Sequence, residues 1–208
     1  MLTIWGRDNS TNVKKVLWCA TELNLTFNAI PAGGQYGKNR ESAYLALNPN
    51  GLVPCIQDDE NGLVLWESNT IVRYLAAQYG QHLWPLTDAA VCASAEKWMD
   101  WTLSTLAPAL QPLFVSLIRT PVEKRDKKLI EDCIQKCEAL FDIAENALEK
   151  QPYFSGTAFG IGDIPIGCFA YNWFSMDIAR KPRPHLKTWY EAICARPAFQ
   201  QRVMIPLS

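Results

Sequence analysis

Residues 48–71 read NPNGLVPCIQDDENGLVLWESNTI. Val53 to Gln57 and Leu63 to Trp66 are short apolar runs, and Asp58-Asp-Glu-Asn-Gly62 between them has the acidic, Asn-Gly chemistry of a turn. Two β-prone runs joined in this way predict a hairpin. The second run passes straight into Glu67-Ser68, whose side chains suit the first turn of a helix, and Ile71, Val72, Leu75 and Tyr79 then recur at helical steps. Ahead of the hairpin, Pro54 lacks an N–H and belongs at a sheet edge. Val53 beside it can offer its own N–H and C=O to an extended peptide.

Upstream of this segment, Leu2 to Trp5 is a short β-prone run and Gly6 to Asn9 a polar turn. Val13, Val16, Leu17, Ala20 and Leu23 then fall at three- and four-residue steps, predicting an amphipathic helix over Thr11 to Asn24 with Ser10 or Thr11 as its cap. A second strand is expected at Thr26 to Ile30, stopped by Pro31 and followed by the Gly-rich stretch Ala32 to Lys38. The order strand, helix, strand, long loop, hairpin, helix is that of a thioredoxin-like α/β unit, expected over residues 1–80.

Downstream the pattern is helical. Asp88 to Leu106 carries Val91, Ala95, Trp98 and Trp101 at helical steps, with Pro108 and Pro112 expected to kink or interrupt it. Ile130, Ile134, Cys137, Phe141, Ala144 and Leu148 define an amphipathic helix between Lys127 and Lys150. Further helices are expected from Asp163 to Ala179 and from His185 to Ala195, the last ending before Pro197. These make an all-α domain over residues 87–208, with a linker at 81–86 around Trp84-Pro85. Asp163 reads as a structural capping residue opposite Gly160.

The chain has 208 residues, 49% of them hydrophobic, and a net charge of -1 from 20 Lys+Arg against 21 Asp+Glu. That balance excludes a disordered chain. Residues 1–80 hold 6 basic and 7 acidic side chains, so neither half is basic and no nucleic-acid partner is expected. The 7 cysteines are scattered, without a C-x-x-C pair. Free thiols in a reducing compartment follow, and with no leader-like or membrane-length apolar run the protein is expected in the cytoplasm. Cys133 and Cys137 are four apart, but His82 and His185 lie far from them in sequence, and no metal site is expected.

Three local features converge on one ligand. Arg7-Asp-Asn-Ser-Thr-Asn12 places hydroxyls and an amide at a strand-to-helix turn, which favours an anion such as a thiolate. Val53-Pro54 offers a backbone edge. Glu67 can hold an ammonium group, and Ser68 with the helix N–H groups can hold a carboxylate. A small thiol peptide with an α-amino acid end fits all three.

Through Ser10-Thr-Asn12 with Lys15, through Asn48-Pro-Asn-Gly-Leu-Val53-Pro54, and through Glu67-Ser68-Asn-Thr-Ile-Val-Arg-Tyr-Leu75, the chain resembles the glutathione S-transferase family over essentially its whole length. The first turn is similar to bacterial, theta- and nu-like cytosolic members. The resemblance implies a cytoplasmic homodimer with a detoxification role, using glutathione as co-substrate and no separate cofactor. It also implies that bound glutathione is activated as its thiolate for attack on a small hydrophobic electrophile. Ser10 and Asn12 become the thiolate donors, with Thr11 competing for the role of Ser10. Val53 and Pro54 meet the cysteinyl backbone, Glu67 the γ-glutamyl ammonium, Ser68 its carboxylate, and Lys38 or Arg40 the glycyl carboxylate. Trp5, Trp101, Thr105 and Trp173 are expected to line the electrophile pocket. Glutathione-dependent reduction of a disulfide or peroxide is the alternative, and a non-catalytic binding module a second one. The chain departs from many members in lacking a Tyr or Cys in the first turn and in carrying Leu52 before Val53-Pro54.

Overall fold

A computed structural model describes residues 1–81 and 88–208. The expected linker therefore lies, apart from Gln81, outside the described residues. These divide into two compact units, residues 1–81 with 197–205, and residues 88–196 with 206–208.

In the first unit, β1 (Leu2–Trp5), α1 (Thr11–Glu22), β2 (Phe27–Ile30), α2 (Ser42–Leu45), β3 (Cys55–Asp58), β4 (Leu63–Trp66) and α3 (Ser68–Tyr79) succeed one another in that order. The sheet order is β2-β1-β3-β4, with β1 and β2 parallel and the other neighbours antiparallel. A parallel pair needs a crossover, and α1 supplies it. Val13, Val16, Leu17 and Ala20 of α1 are buried, as are Ile71, Val72, Leu75 and Ala76 of α3 and Leu2, Ile4 and Ile56 of the sheet. The thioredoxin-like unit thus has the order its sequence predicts. In the strand register, Trp5 pairs with Cys55, and Cys55 with Trp66. The end of β1, the start of β3 and the end of β4 therefore meet at one end of the strands, bringing the three sequence motifs side by side; Pro54 leads into an interior strand and not into a sheet edge.

Two details of this unit depart from expectation. The β3 ladder begins at Cys55, two residues after Val53, because the prolyl ring of Pro54 removes a ladder donor. Pro197 does not merely end the helical domain; it is the first residue of a further helix, α9 (Pro197–Arg202), where its missing N–H costs nothing. That helix packs on α1, with Phe199 edge-on to Trp18 at 4.7 Å and Lys14 Nζ donating to the Val203 carbonyl at 3.0 Å. At the far end of the sheet, the hydroxyls of Tyr74 and Tyr79 donate to Asp58 Oδ2 at 2.6 and 2.5 Å, tying the hairpin to α3.

The second unit contains α4 (Ala89–Trp101), α5 (Ala107–Phe114), α6 (Lys127–Leu148), α7 (Asp163–Ser175) and α8 (Pro184–Cys194). Pro108 and Pro112 do not interrupt the first of these. Helix runs without a break from Ala89 to Arg119, with π turns at Thr102–Leu106 and Val115–Arg119. The first π turn ends two residues before Pro108, and its wider step lets the chain pass a residue that has no N–H. By length and composition this 31-residue run could cross a bilayer. Within the unit, Met99, Leu106, Leu110 and Leu113 of the same run are buried core.

Asp163 staples the unit together. Its carboxylate accepts from the N–H groups of Phe154 (2.8 Å) and Gly160 (3.0 Å) and from Trp189 Nε1 (2.8 Å). Gly160 thus supplies a backbone donor where a hydroxyl cap is absent. α7 ends at Ser175 rather than Ala179 because Arg180 folds back and donates to the carbonyls of Trp173, Met176 and Ile178, an Arg cap on the exposed helix end. Trp173, expected in the electrophile pocket, borders an apolar recess of this unit together with Phe174 and Arg180. It is 0% exposed, with its ring 4.9 Å from Phe141, because α7 turns that face into the core. Cys133 and Cys137 are buried on α6, and among the described residues no group of His, Cys, Asp and Glu is arranged to hold a metal ion.

Candidate active site

Asn12, Val53, Pro54, Glu67 and Ser68 line one recess at one end of the strands of the first unit, together with Asn48, Asn50, Leu52 and Trp66. They arrive from three different elements. Asn12 sits in the first turn of α1, Val53 and Pro54 lead into β3, and Glu67 and Ser68 form the junction of β4 with α3.

The loop before β3 is held from inside. Asn48, 2% exposed, donates through Nδ2 to the Leu52 carbonyl at 2.8 Å, and the Tyr44 hydroxyl donates to the same carbonyl at 2.6 Å. Burial pushes the Tyr44 phenol up to about 12, so it remains a donor. Asn48 Oδ1 accepts from the N–H of Asn50, an Asx turn, and Asn39 Nδ2 donates to the Gly51 carbonyl at 2.7 Å. Gly51 has φ +60°, and a side chain there would meet Arg40 Nη1 and the Asn39 carbonyl. The carbonyls of Gly51 and Leu52 are thus satisfied within the loop. The Val53 N–H and C=O make no hydrogen bond among the described residues. The Val53-Pro54 bond is cis.

Glu67 caps α3 with φ +72°, in the left-handed region that a non-glycine residue occupies at a cost of about 1–3 kcal/mol. Such a conformation persists where neighbouring structure imposes it. Here it turns the chain from strand to helix in one residue. The Glu67 side chain is exposed and makes no capping bond, and its carboxylate has no ion pair among the described residues. Ser68 is buried at the first position of α3, and its hydroxyl donates to Asn12 Oδ1 at 3.3 Å. A helix N-terminus, a donor hydroxyl and an exposed carboxylate make a paired site for an anion and a cation.

Ser10 precedes α1 in an extended conformation, yet its hydroxyl does not cap the helix. It makes no hydrogen bond among the described residues, so the simplest structural use of this side chain is not the one adopted. Thr11 is half-buried beside it. Lys38, exposed with φ +63°, and Arg40, packed against Gly51, lie on the loop that buttresses the recess but do not line it. Trp5 packs against the small cluster of Ala32, Tyr44 and Cys55. In the helical unit, Trp101 is half-buried and edge-on to Trp98 at 5.4 Å, while Thr105 is half-buried within the π turn.

No protein thiol is poised for chemistry in the first unit. Burial pushes Cys55 up to about 11 and raises Cys19 further. Asn48, Asn50, Tyr44 and Trp66 are residues of the site to which the sequence alone assigns no role. The Asn48-Pro-Asn-Gly run carried a turn signal for the first two, whereas Tyr44 lies in a helix of one turn with no periodicity to mark it.

Residues 9–78 match the family model of the glutathione S-transferase N-terminal domain, and residues 105–197 match that of the C-terminal domain. Over 209 aligned residues the chain is 51% identical to glutathione S-transferase GstB of Escherichia coli, covering 100% of both proteins. The chain belongs to the glutathione S-transferase family. Glutathione S-transferase 3 of Zea mays is 32% identical, with 99% of this chain and 95% of the maize protein covered. A theta-class glutathione S-transferase of Xanthomonas axonopodis pv. citri, solved with glutathione bound, superposes with a TM-score of 0.95 at 49% identity, covering 100% and 99% of the two chains. Every residue lining the recess falls within the stretch that matches the N-terminal glutathione S-transferase domain.

Proposed function

We propose that this protein is a glutathione transferase whose recess holds the tripeptide in an extended conformation and presents its sulfur to Ser10. The observation that carries this reading is the unused N–H and C=O of Val53 beside the Glu67-Ser68 junction in one recess. An extended peptide pairs with the first and an α-amino acid end with the second. The cysteinyl backbone bonds Val53, the γ-glutamyl carboxylate meets Ser68 and the α3 N-terminus, and the ammonium meets Glu67. Lys38 or Arg40 takes the glycyl carboxylate. The Ser10 hydroxyl donates to the sulfur, with Asn12 as second donor.

A free thiol is only a few per cent thiolate at neutral pH, and donors aimed at the sulfur shift that balance toward the nucleophile. The thiolate then attacks an electrophilic carbon. The S–C bond forms as the leaving group departs with its electron pair or, in addition, as the electron pair moves onto the acceptor. Trp5, Trp101 and Thr105, each half-buried within its own unit, are the surfaces proposed for the apolar co-substrate. A cytoplasmic homodimer with a detoxification role completes the reading. Calorimetric titration with glutathione, paired with assays on an aromatic halide and a small disulfide, tests it. Turnover of the halide is the expected result. Absence of binding at millimolar glutathione overturns the reading, and turnover of the disulfide alone replaces transfer by reduction.

A further inference from the structure

Lys15 lies on the inner face of α1 and is 0% exposed. Its ammonium sits 3.4 Å from Ser68 Oγ and 3.4 Å from Asn69 Oδ1, the first two side chains of α3. A lysine so completely withdrawn from water needs a reason, since desolvating an ammonium is costly. The bonding of the Ser68 hydroxyl suggests one. A serine hydroxyl has one proton to give and two lone pairs, whereas an ammonium can only donate. Lys15 therefore occupies a lone pair of Ser68 Oγ from below, and the single proton of Ser68 is directed elsewhere, onto Asn12 Oδ1 at 3.3 Å.

We propose that Lys15 is a specificity-determining positioning residue, which makes Ser68 a proton donor and so reserves the head of α3 for a carboxylate. The inference rests on the reading of Ser68 as the contact for the γ-glutamyl carboxylate. With no ligand the Ser68 proton rests on Asn12. When a carboxylate arrives, the proton rotates onto it while Lys15 holds the oxygen in place. The positive charge beneath the first turn of α3 adds to the electropositive helix end. A ligand presenting a neutral carboxamide at this point gains neither the charge-assisted bond nor the field. Lys15 does not touch the ligand, so it acts on selection of the thiol peptide and not on the reacting sulfur.

The test compares binding of glutathione with that of an analogue in which the γ-glutamyl α-carboxylate is a primary carboxamide. Wild type is expected to prefer glutathione by about a hundredfold, as for a charge-assisted bond against a neutral one. Lys15→Met is expected to reduce that preference to within about tenfold by weakening glutathione and sparing the analogue, with kcat at saturating glutathione little altered. Lys15→Arg, which keeps the charge and the donors, is expected to retain most of the preference. Ser68→Ala is expected to collapse it without removing any charge. Full preference retained in folded Lys15→Met overturns the proposal. Should Lys15→Met not fold, Ser68→Ala and Lys15→Arg decide: preference retained in Ser68→Ala overturns it, and loss there with retention in Lys15→Arg supports it. If wild type binds glutathione and its amide equally, or binds neither, it is the underlying placement of the γ-glutamyl group that fails. A wild-type preference that Lys15→Met leaves intact refutes the role of Lys15 alone.

Discussion

Asn48 reaches four residues forward and donates its side-chain N–H to the carbonyl of Leu52, 2.8 Å away and one residue before Val53. With the Tyr44 hydroxyl, which donates to the same carbonyl, the bond braces the loop that leads into Val53. Asn48→Ala is expected to leave the Leu52 carbonyl with Tyr44 as its one remaining donor and to destabilise the protein by about 1–3 kcal/mol. Because the loop carries the peptide edge, the concentration of glutathione required for half-maximal rate rises as well. Urea denaturation with steady-state kinetics on the same sample separates the two effects.

Ser10 gives the sharpest kinetic prediction. Removing one donor aimed at a developing anion costs about a hundredfold to a thousandfold in kcat where the site is preorganised. Ser10→Ala is expected to lose activity in that range and to move the pH at which kcat/KM levels off upward, since the bound thiol then ionises at higher pH. Thr11→Ala should leave that pH in place. A pH-rate profile in which the Thr11 variant moves and the Ser10 variant does not reverses the assignment.

Glu67→Gln tests the ammonium contact without altering the backbone conformation at φ +72°. The variant is expected to raise the glutathione KM by about tenfold, the scale of one exposed charge-assisted contact, with a smaller loss in kcat. Initial rates over a wide glutathione range measure it.

Asp163 is 0% exposed, and burial raises its pKa while the donors from Phe154, Gly160, Ser155 and Trp189 oppose that shift. Asp163→Ala removes the acceptor for all of them and is expected to cost the helical unit several kcal/mol, at about 1–3 kcal/mol for each buried donor left unpaired. Trp189 loses its hydrogen bond in the same variant, so tryptophan emission in guanidinium reports the loss directly.

Acid stability turns on Asp58. Burial pushes its pKa up, but the hydroxyls of Tyr74 and Tyr79, the Glu60 N–H and the N-terminal ammonium outweigh it and hold the carboxyl below the usual aspartate range. The folded state therefore binds this proton less readily than the unfolded chain. The stabilisation is complete above the unfolded value of about 3.9 and is lost as pH falls through the folded one. Tyr79→Phe should lessen the drop, narrowing the difference between stability at neutral pH and near pH 3 in thermal melts.

Periodicity and turn chemistry determined much of this protein from sequence alone. The hairpin between Val53 and Trp66, the helix behind Glu67-Ser68, the amphipathic face of α1 and the long helix through Phe141 are all local patterns, and a local pattern survives folding when its apolar face finds a partner. The three motifs that suggest a thiol peptide were legible for the same reason, since each is a short run whose backbone donors or side chains are set by its own turn. Tertiary structure alone decided what depends on distant parts of the chain. The pairing of Trp5 with Cys55 and Cys55 with Trp66 brought those motifs to one end of the strands. Which neighbours Trp173 meets, Phe141 in the core and Arg180 at the helix end, also depended on packing. Pro108 carried the signal of a helix break, and a π turn absorbed it. Lys15 belongs to the first-turn motif, but its partner is not legible there. Only the approach of α3 to α1 placed its ammonium under Ser68, because a contact between residues 53 positions apart leaves no trace in the spacing of either.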